Sequence, residues 1–211
     1  MRTQIVFITP GCFDKGGISR YSRYQIQALR ALYGQANVYV MSLMGPLDDS
    51  IEEHFTVNYA GKSNSKWDQL KFAFQFIWIC FGQRPKIIHA AHVNFSGLSY
   101  VVSKLIGAVS ILNVYGLEIW SKLSWDAAWG LKNVDHIISD CHNTKNYMVS
   151  KGIRKNSDIE VIWDCIDLVK FKPQSIEKIS DVAKKYALPS YTSKKVIMTL
   201  GRVAYAARHK G

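Results

Sequence analysis

The segment PGCFDKGGISRYS, residues 10–22, sets two adjacent glycines, Gly16 and Gly17, between an apolar run and a stretch with helical spacing. Glycine reaches backbone conformations closed to other residues and lets a ligand come close to the main chain. A helix starting near Ile18 would turn the N–H groups of Ile18, Ser19 and Arg20 outward at the positive end of its dipole, which suits a phosphate. The turn is therefore a candidate diphosphate cradle, although an ordinary tight turn uses the same residues. It reads neither G-x-G-x-x-G nor G-x-x-x-x-G-K-[ST], so it carries neither the dinucleotide fingerprint nor the Walker loop.

Further polar residues follow later apolar runs: His89, His92 and Asn94 after the third, Tyr115 and Glu118 after the fourth, Ser139, Asp140 and His142 after the fifth. An open α/β sheet binds its ligands outside the carboxyl edge of its strands, so these positions share one edge. Each taken alone has a structural explanation, since a lone histidine commonly packs in a core. Glu118 lies in the apolar loop VYGLEIW, where it could accept from a hydroxyl or lend electrostatic support; a solvated loop carboxylate would look the same. In TLGRVAYAARHKG, Arg202, Arg208 and Lys210 could converge on one anion, because guanidinium forks and an ammonium suit phosphate oxygens. No Ser-His-Asp order or H-E-x-x-H stands out. Cys12, Cys80, Cys141 and Cys165 lie too far apart to spell a zinc site or a disulfide framework, and read as reduced cytosolic thiols.

The elements that must position these residues follow from hydrophobic patterning. Apolar, β-branched runs at 5–9, 37–43, 86–91, 109–115, 136–139, 159–163 and 196–200 are mostly continuous, as in strands covered on both faces. Helical patterns separate several of them. In the first, Ile18, Tyr21, Gln25, Ala28, Leu29 and Leu32 share a face and Arg20, Arg23 and Arg30 fall on others. Strand, helix, strand in repetition predicts an α/β fold: a Rossmann-like parallel sheet with helices on both faces. The aromatic stretch 67–81 (WDQLKFAFQFIWICF) predicts a helix, interrupted by Lys71 and Gln75 and too short to span a bilayer. Its expected place is buried or lining a groove, with an interfacial position as the alternative. Residues 168–195, with Pro173, Pro189 and Ser190, read as a linker entering a new domain. The division expected is 1–190 for a first domain and 194–211 for the first strand and loop of a second.

The chain has 211 residues, 48% of them hydrophobic, with 27 basic and 16 acidic side chains and a formal charge of +11. That composition excludes a disordered, collagenous or coiled-coil chain. Five basic residues and no acid follow position 193, a tract suited to phosphate, nucleic acid or an anionic membrane surface. The basic residues elsewhere are dispersed among helices rather than interleaved with aromatic platforms on one face, which argues against nucleic acid. The N-terminus MRTQIVFITPG reads as a first strand, not a signal peptide.

Taken in order, these segments resemble the N-terminal half of a GT-B-type retaining glycosyltransferase of the large group 1, or family 4, class. KGGISRYSRYQIQAL resembles that family's glycine pair and first helix against the donor diphosphate, which implies that role for Gly16 and Gly17. KIIHAAHVNFSGL resembles the strand and loop walling the acceptor cleft, and VYGLEIW the loop that usually reads H-G-x-D or H-G-x-E. The resemblance implies His92 and Glu118 at the reacting centre and Asn94, Tyr115 and Ser139 in the acceptor cleft. Tyr115 stands where the family most often has histidine; VIWDCIDLVKFKP resembles the family's V-I-P-N-G-V-D-x-x-x-F-x-P, with Trp163, Asp164 and Cys165 in place of P-N-G and Asp167, Phe171 and Pro173 kept. TLGRVAYAARHKG resembles the opening of the second domain, which implies that Arg202 and Lys210 grip the donor diphosphate.

The function expected is transfer of a hexosyl group from a UDP- or GDP-sugar to a glycan or lipid-linked acceptor, with no metal and no cofactor beyond the nucleotide sugar. The family's E-x-7-E pattern would lie past Gly211, so this chain is expected to be a truncated form, silent on its own. It is expected in the cytoplasm, with peripheral contact at the inner face of the membrane. The alternative is a non-catalytic Rossmann-like module binding anionic membrane surfaces. A nicotinamide oxidoreductase is disfavoured by the missing glycine fingerprint and by the lack of an acid ending a second strand.

Overall fold

The computed structural model describes residues 3–46, 55–169, 171–173 and 175–188. The chain divides into two compact units, Met1–Cys165 and Ile166–Gly211. The expected strand at 196–200, Arg202, Arg208, Lys210 and the boundary near 190 lie outside the described residues.

The first unit is a parallel sheet of seven strands: β1 (Ile5–Gly11), β2 (Val38–Met44), β3 (Tyr59–Ala60), β4 (Ile87–Ala90), β5 (Val109–Val114), β6 (His136–Ser139) and β7 (Ile159–Val161). Their spatial order is β3-β2-β1-β4-β5-β6-β7. Ile5 pairs with Val38 on one side and Ile87 on the other, so the chain winds outward in both directions from β1. Its switch point lies between β1 and β4, where open α/β sheets carry their ligands.

Side chains alternate across a strand, and here the alternation divides two cores. Ile5 and Phe7 face α1 (Gly17–Tyr33), packing with Ile26, Val38 and Val40. Val6 and Ile8 face the other way, into a larger core with Met41, Ile88, Leu112 and Ile137. That side is covered by α2 (Lys66–Gln83) through Phe72, Phe76 and Cys80, and by α3 (Ser96–Ile106) through Val102. After the short α4 (Leu117–Trp120), α5 (Trp125–Asn133) adds Leu131 and α6 (His142–Ser150) adds Met148. Strands buried on both faces account for the unbroken apolar runs of the sequence.

Two expectations change. Along α1 the buried residues are Ser19, Tyr21, Ser22, Arg23 and Ile26, so Tyr21 takes its expected inward place, while Leu32 is exposed. Arg23 turns inward because its guanidinium donates to Cys12 O at 2.6 Å and Asp14 O at 3.1 Å, fixing the loop out of β1. The aromatic helix α2 buries one stripe and leaves the opposite one open to solvent. In the second unit, α7 (Ile176–Lys185) lies within the stretch read as a linker, its first turn capped by Ser175 accepting from Lys178 N–H.

Candidate functional site

The carboxyl edge of the sheet is built from the β1 turn outward. α1 begins at Gly17 with Gly16 as its cap residue, and no side chain caps its first amides. Arg20 N–H donates to Gly16 O at 3.0 Å, so it belongs to the helix; the amides ahead of it are those of Gly17, Ile18 and Ser19. This shifts the cradle one residue toward the N-terminus of the expected trio. A Cβ built on Gly17 would meet nothing within 4 Å, whereas one on Gly16 would strike Asp14 Oδ1 at 2.5 Å. Asp14 accepts from Gly16 N–H at 2.6 Å and, through its other oxygen, from the Ser19 hydroxyl. Asp14 therefore shapes the turn and opposes an incoming anion, with exposed Lys15 beside it.

His92 and Asn94 come from the loop after β4. They line a cavity of about 400 Å³ with Pro10, Met44, Gln69 and Asp126. Asn94 N–H donates to His92 Nδ1 at 3.2 Å, which leaves Nε2 as the ring's donor when neutral. Burial holds the His92 pKa below its usual value. His89, by contrast, lies inside β4 rather than at its end. It is buried, packs against the Phe7 ring at 4.7 Å, and shares its Nε2 with Asn113 Oδ1 at 2.9 Å.

Asn113, which the sequence did not single out, is the hub of a buried polar network. Its amide donates to Gln25 Oε1 at 2.5 Å and to the Tyr115 hydroxyl at 3.2 Å. Tyr115 meets the Tyr21 ring edge to face at 6.0 Å, and Tyr21 donates to Ile162 O at 3.2 Å. Burial raises the Tyr115 phenol above its ordinary range, so it acts as a neutral hydroxyl. Glu118 accepts from Tyr115 N–H at 2.6 Å, closing the loop through Gly116 at φ +98°. A side chain at Gly116 would press on Thr144 Oγ1 at 2.9 Å and on the Trp120 ring at 3.0 Å.

Burial pushes the Glu118 carboxyl up, the Tyr115 amide pulls it back, and the charge of Asp140 adds to the rise. Asp164 is raised in the same way, by burial and then by Asp140. Three carboxylates thus give the ends of β5, β6 and β7 a negative field. Ser139 is fully buried and donates to Cys141 O at 2.9 Å, so its hydroxyl closes the turn after β6 instead of lining the cavity. The structure brings His92 with Asn94, and Tyr115 with Glu118. Among the described residues, no three His, Cys, Asp or Glu side chains stand close enough to hold a metal ion.

The profile of Glycosyltransferase Family 4 matches residues 15–170. No curated protein matches the chain. Among solved structures, Anabaena HepE in complex with UDP is similar with a TM-score of 0.64 and 14% identity, over 88% of this chain and 50% of that one. The lipopolysaccharide outer core galactosyltransferase WaaB is similar with a TM-score of 0.58 and 16% identity, over 79% and 47%. Sucrose-phosphate synthase from Thermosynechococcus elongatus gives 0.60 and 15%, over 89% and 53%. At these identities the likeness is one of fold, the Rossmann-like half of a GT-B architecture. The chain spans about half the length of the structures it matches.

Proposed function

The chain belongs to glycosyltransferase family 4, and from that premise we propose that it forms the acceptor-side wall of a transferase moving a hexosyl group from a UDP- or GDP-sugar, with retention, to a glycan or lipid-linked acceptor. The observation that carries this reading is the uncapped start of α1 at the carboxyl end of β1, next to the strand pair where the winding order of the parallel sheet reverses. HepE binds UDP and UDP-glucose, which supports a nucleotide-sugar donor here. The transfer as proposed needs no metal, and the four free thiols fit a cytoplasmic setting.

In this reading the Gly17, Ile18 and Ser19 amides donate to the donor diphosphate, and Arg202 and Lys210 complete its charge balance. The cavity lined by His92 and Asn94 takes the acceptor, whose hydroxyl oxygen accepts from the Nε2–H of the neutral imidazole. Glu118 and its carboxylate neighbours supply a negative potential that favours the positive charge developing at the sugar's anomeric carbon. The residues reading the base belong to the opposite wall, so the 211-residue chain is proposed to be silent alone.

Gly17→Trp is the test. Nothing lies within 4 Å of a Cβ there and its φ is outside the left-handed region, so the fold should keep its melting temperature. The indole would cover the amides. Transfer from a radiolabelled nucleotide sugar by the protein carrying this domain should fall by about a hundredfold or more. Undiminished transfer would reject the cradle.

A further inference from the structure

α2 is apolar on two opposite sides, and only one of them is used within the described fold. Phe72, Phe76 and Cys80 recur every four residues and enter the core. On the opposite side Trp67, Leu70, Phe74, Trp78 and Phe81 recur at spacings of three and four and stay exposed, Trp78 at 75%, Trp67 at 73% and Phe74 at 65%. A helix apolar all round is normally covered all round. α3 lies between α2 and α5 on this side of the sheet, and α5 adds Trp125, 80% exposed and stacked on Trp129 at 6.1 Å. No described helix is long and apolar enough to cross a membrane.

Charge decides what covers this face. Lys62, Lys66 and Lys71 stand exposed around the start of α2, Arg84 and Lys86 at its end, and Lys122 ahead of Trp125. The acids among them are Asp126 and Asp68, and the Asp68 carboxylate is already held by the hydroxyls of Ser63 and Ser65. A second copy related by a two-fold axis would set these cations against themselves. The stripe is also a convex ridge of 18 residues, about 27 Å long, which offers no groove for a partner segment. Tryptophan beside lysine on such a ridge suits the headgroup zone of an anionic bilayer, which needs no matching shape.

We propose that the outward face of α2, continued by Trp125, is a docking surface for anionic lipid bilayers, with the helix lying in the interface plane. This does not rest on the transferase reading. It has one geometric consequence for that reading: Asn64 and Gln69, beside Trp67, and Asp126, beside Trp125, line the 400 Å³ cavity, so docking holds the cavity at the lipid surface.

The test is co-sedimentation of the 211-residue chain with vesicles of phosphatidylcholine alone or with about 30% phosphatidylglycerol. Binding is expected with the anionic vesicles, with weakening at about 0.5 M salt and a blue shift of tryptophan emission. The double substitution Phe74→Ser with Trp78→Ser should weaken binding at least about tenfold, whereas Leu32→Ser, on α1, should leave it unchanged. Absence of binding, or an unshifted emission in the unaltered chain, overturns the proposal without reference to any variant. Equal binding by the double variant also overturns it. So does a dimer in light scattering that the double variant dissolves, because the face then belongs to a second copy.

Discussion

The imidazole of His89 lies deep in β4, between the Phe7 ring and the Asn113 amide, and burial, opposed by that hydrogen bond, brings its pKa down to about 4. Unfolding exposes it to water, where about 6.5 is normal. The unfolded chain therefore binds the extra proton first as pH falls. Stability from this group is complete above about pH 6.5 and is lost on descending to about 4, a difference of about 3 kcal/mol. Urea midpoints across that range should drop steeply for the parent, and His89→Gln should flatten the drop; parallel curves would remove His89 as the cause. The chemistry of the site was partly legible at this scale. His92 and Asn94 were singled out because polar residues trailing a strand point to one sheet edge, and both line the cavity. Asn113 and Gln25 were not, because their bond joins residues 88 apart and each side chain sits in a segment whose pattern is explained without it. Arg23 was misplaced for a related reason: a helical wheel assigns arginine to water, and cannot see the carbonyls of Cys12 and Asp14 waiting for a donor.

Most strands were visible as continuous apolar runs, because burial on both faces removes the polar residues that would mask them. The two-residue β3 was not, since its place is set by pairing with Met41 and Ser42 and not by its own composition. Helix contacts were equally hidden. α3 and α5 cross backbone to backbone: a Cβ on Gly130 would lie 2.2 Å from Gly97 N and 2.3 Å from Ser96 C. Gly130→Ala must push the helices apart and should cost about 3 kcal/mol or more in chemical denaturation. Gly82, in the last turn of α2, meets nothing within 4 Å, so Gly82→Ala should instead add up to about 1 kcal/mol through helix propensity. The end of α5 depends on Arg154, whose Nη1 donates to Lys132 O and Val134 O, both at 2.8 Å. Arg154→Met leaves these carbonyls without their donor and should lower stability by about 2 kcal/mol. Arg154→Lys should recover little of it, because a single ammonium cannot also reach Asp135 O as the planar fork does.

At the scale of the whole chain, the proposed one-walled donor site sets a limit on donor affinity. The turn offers three amides, and a net hydrogen bond to a charged group contributes about 1.5–3 kcal/mol. Asp14, accepting from Gly16 N–H and the Ser19 hydroxyl, subtracts from that sum by repulsion. Loss of translational and rotational freedom costs at least about 4 kcal/mol more. What is left corresponds to a dissociation constant near 1 mM or weaker. Isothermal titration of the 211-residue chain with UDP should accordingly give no saturable heat at micromolar concentrations. The two cations of the terminal tract sharpen the test. Because Arg202 and Lys210 are proposed to reach the same phosphates, weak binding in low salt should disappear in the double alanine variant; a variant that matches the parent would remove them from the donor site. Tight, stoichiometric binding would contradict the one-walled arrangement, because it would require the base and ribose to be held by residues within the chain itself.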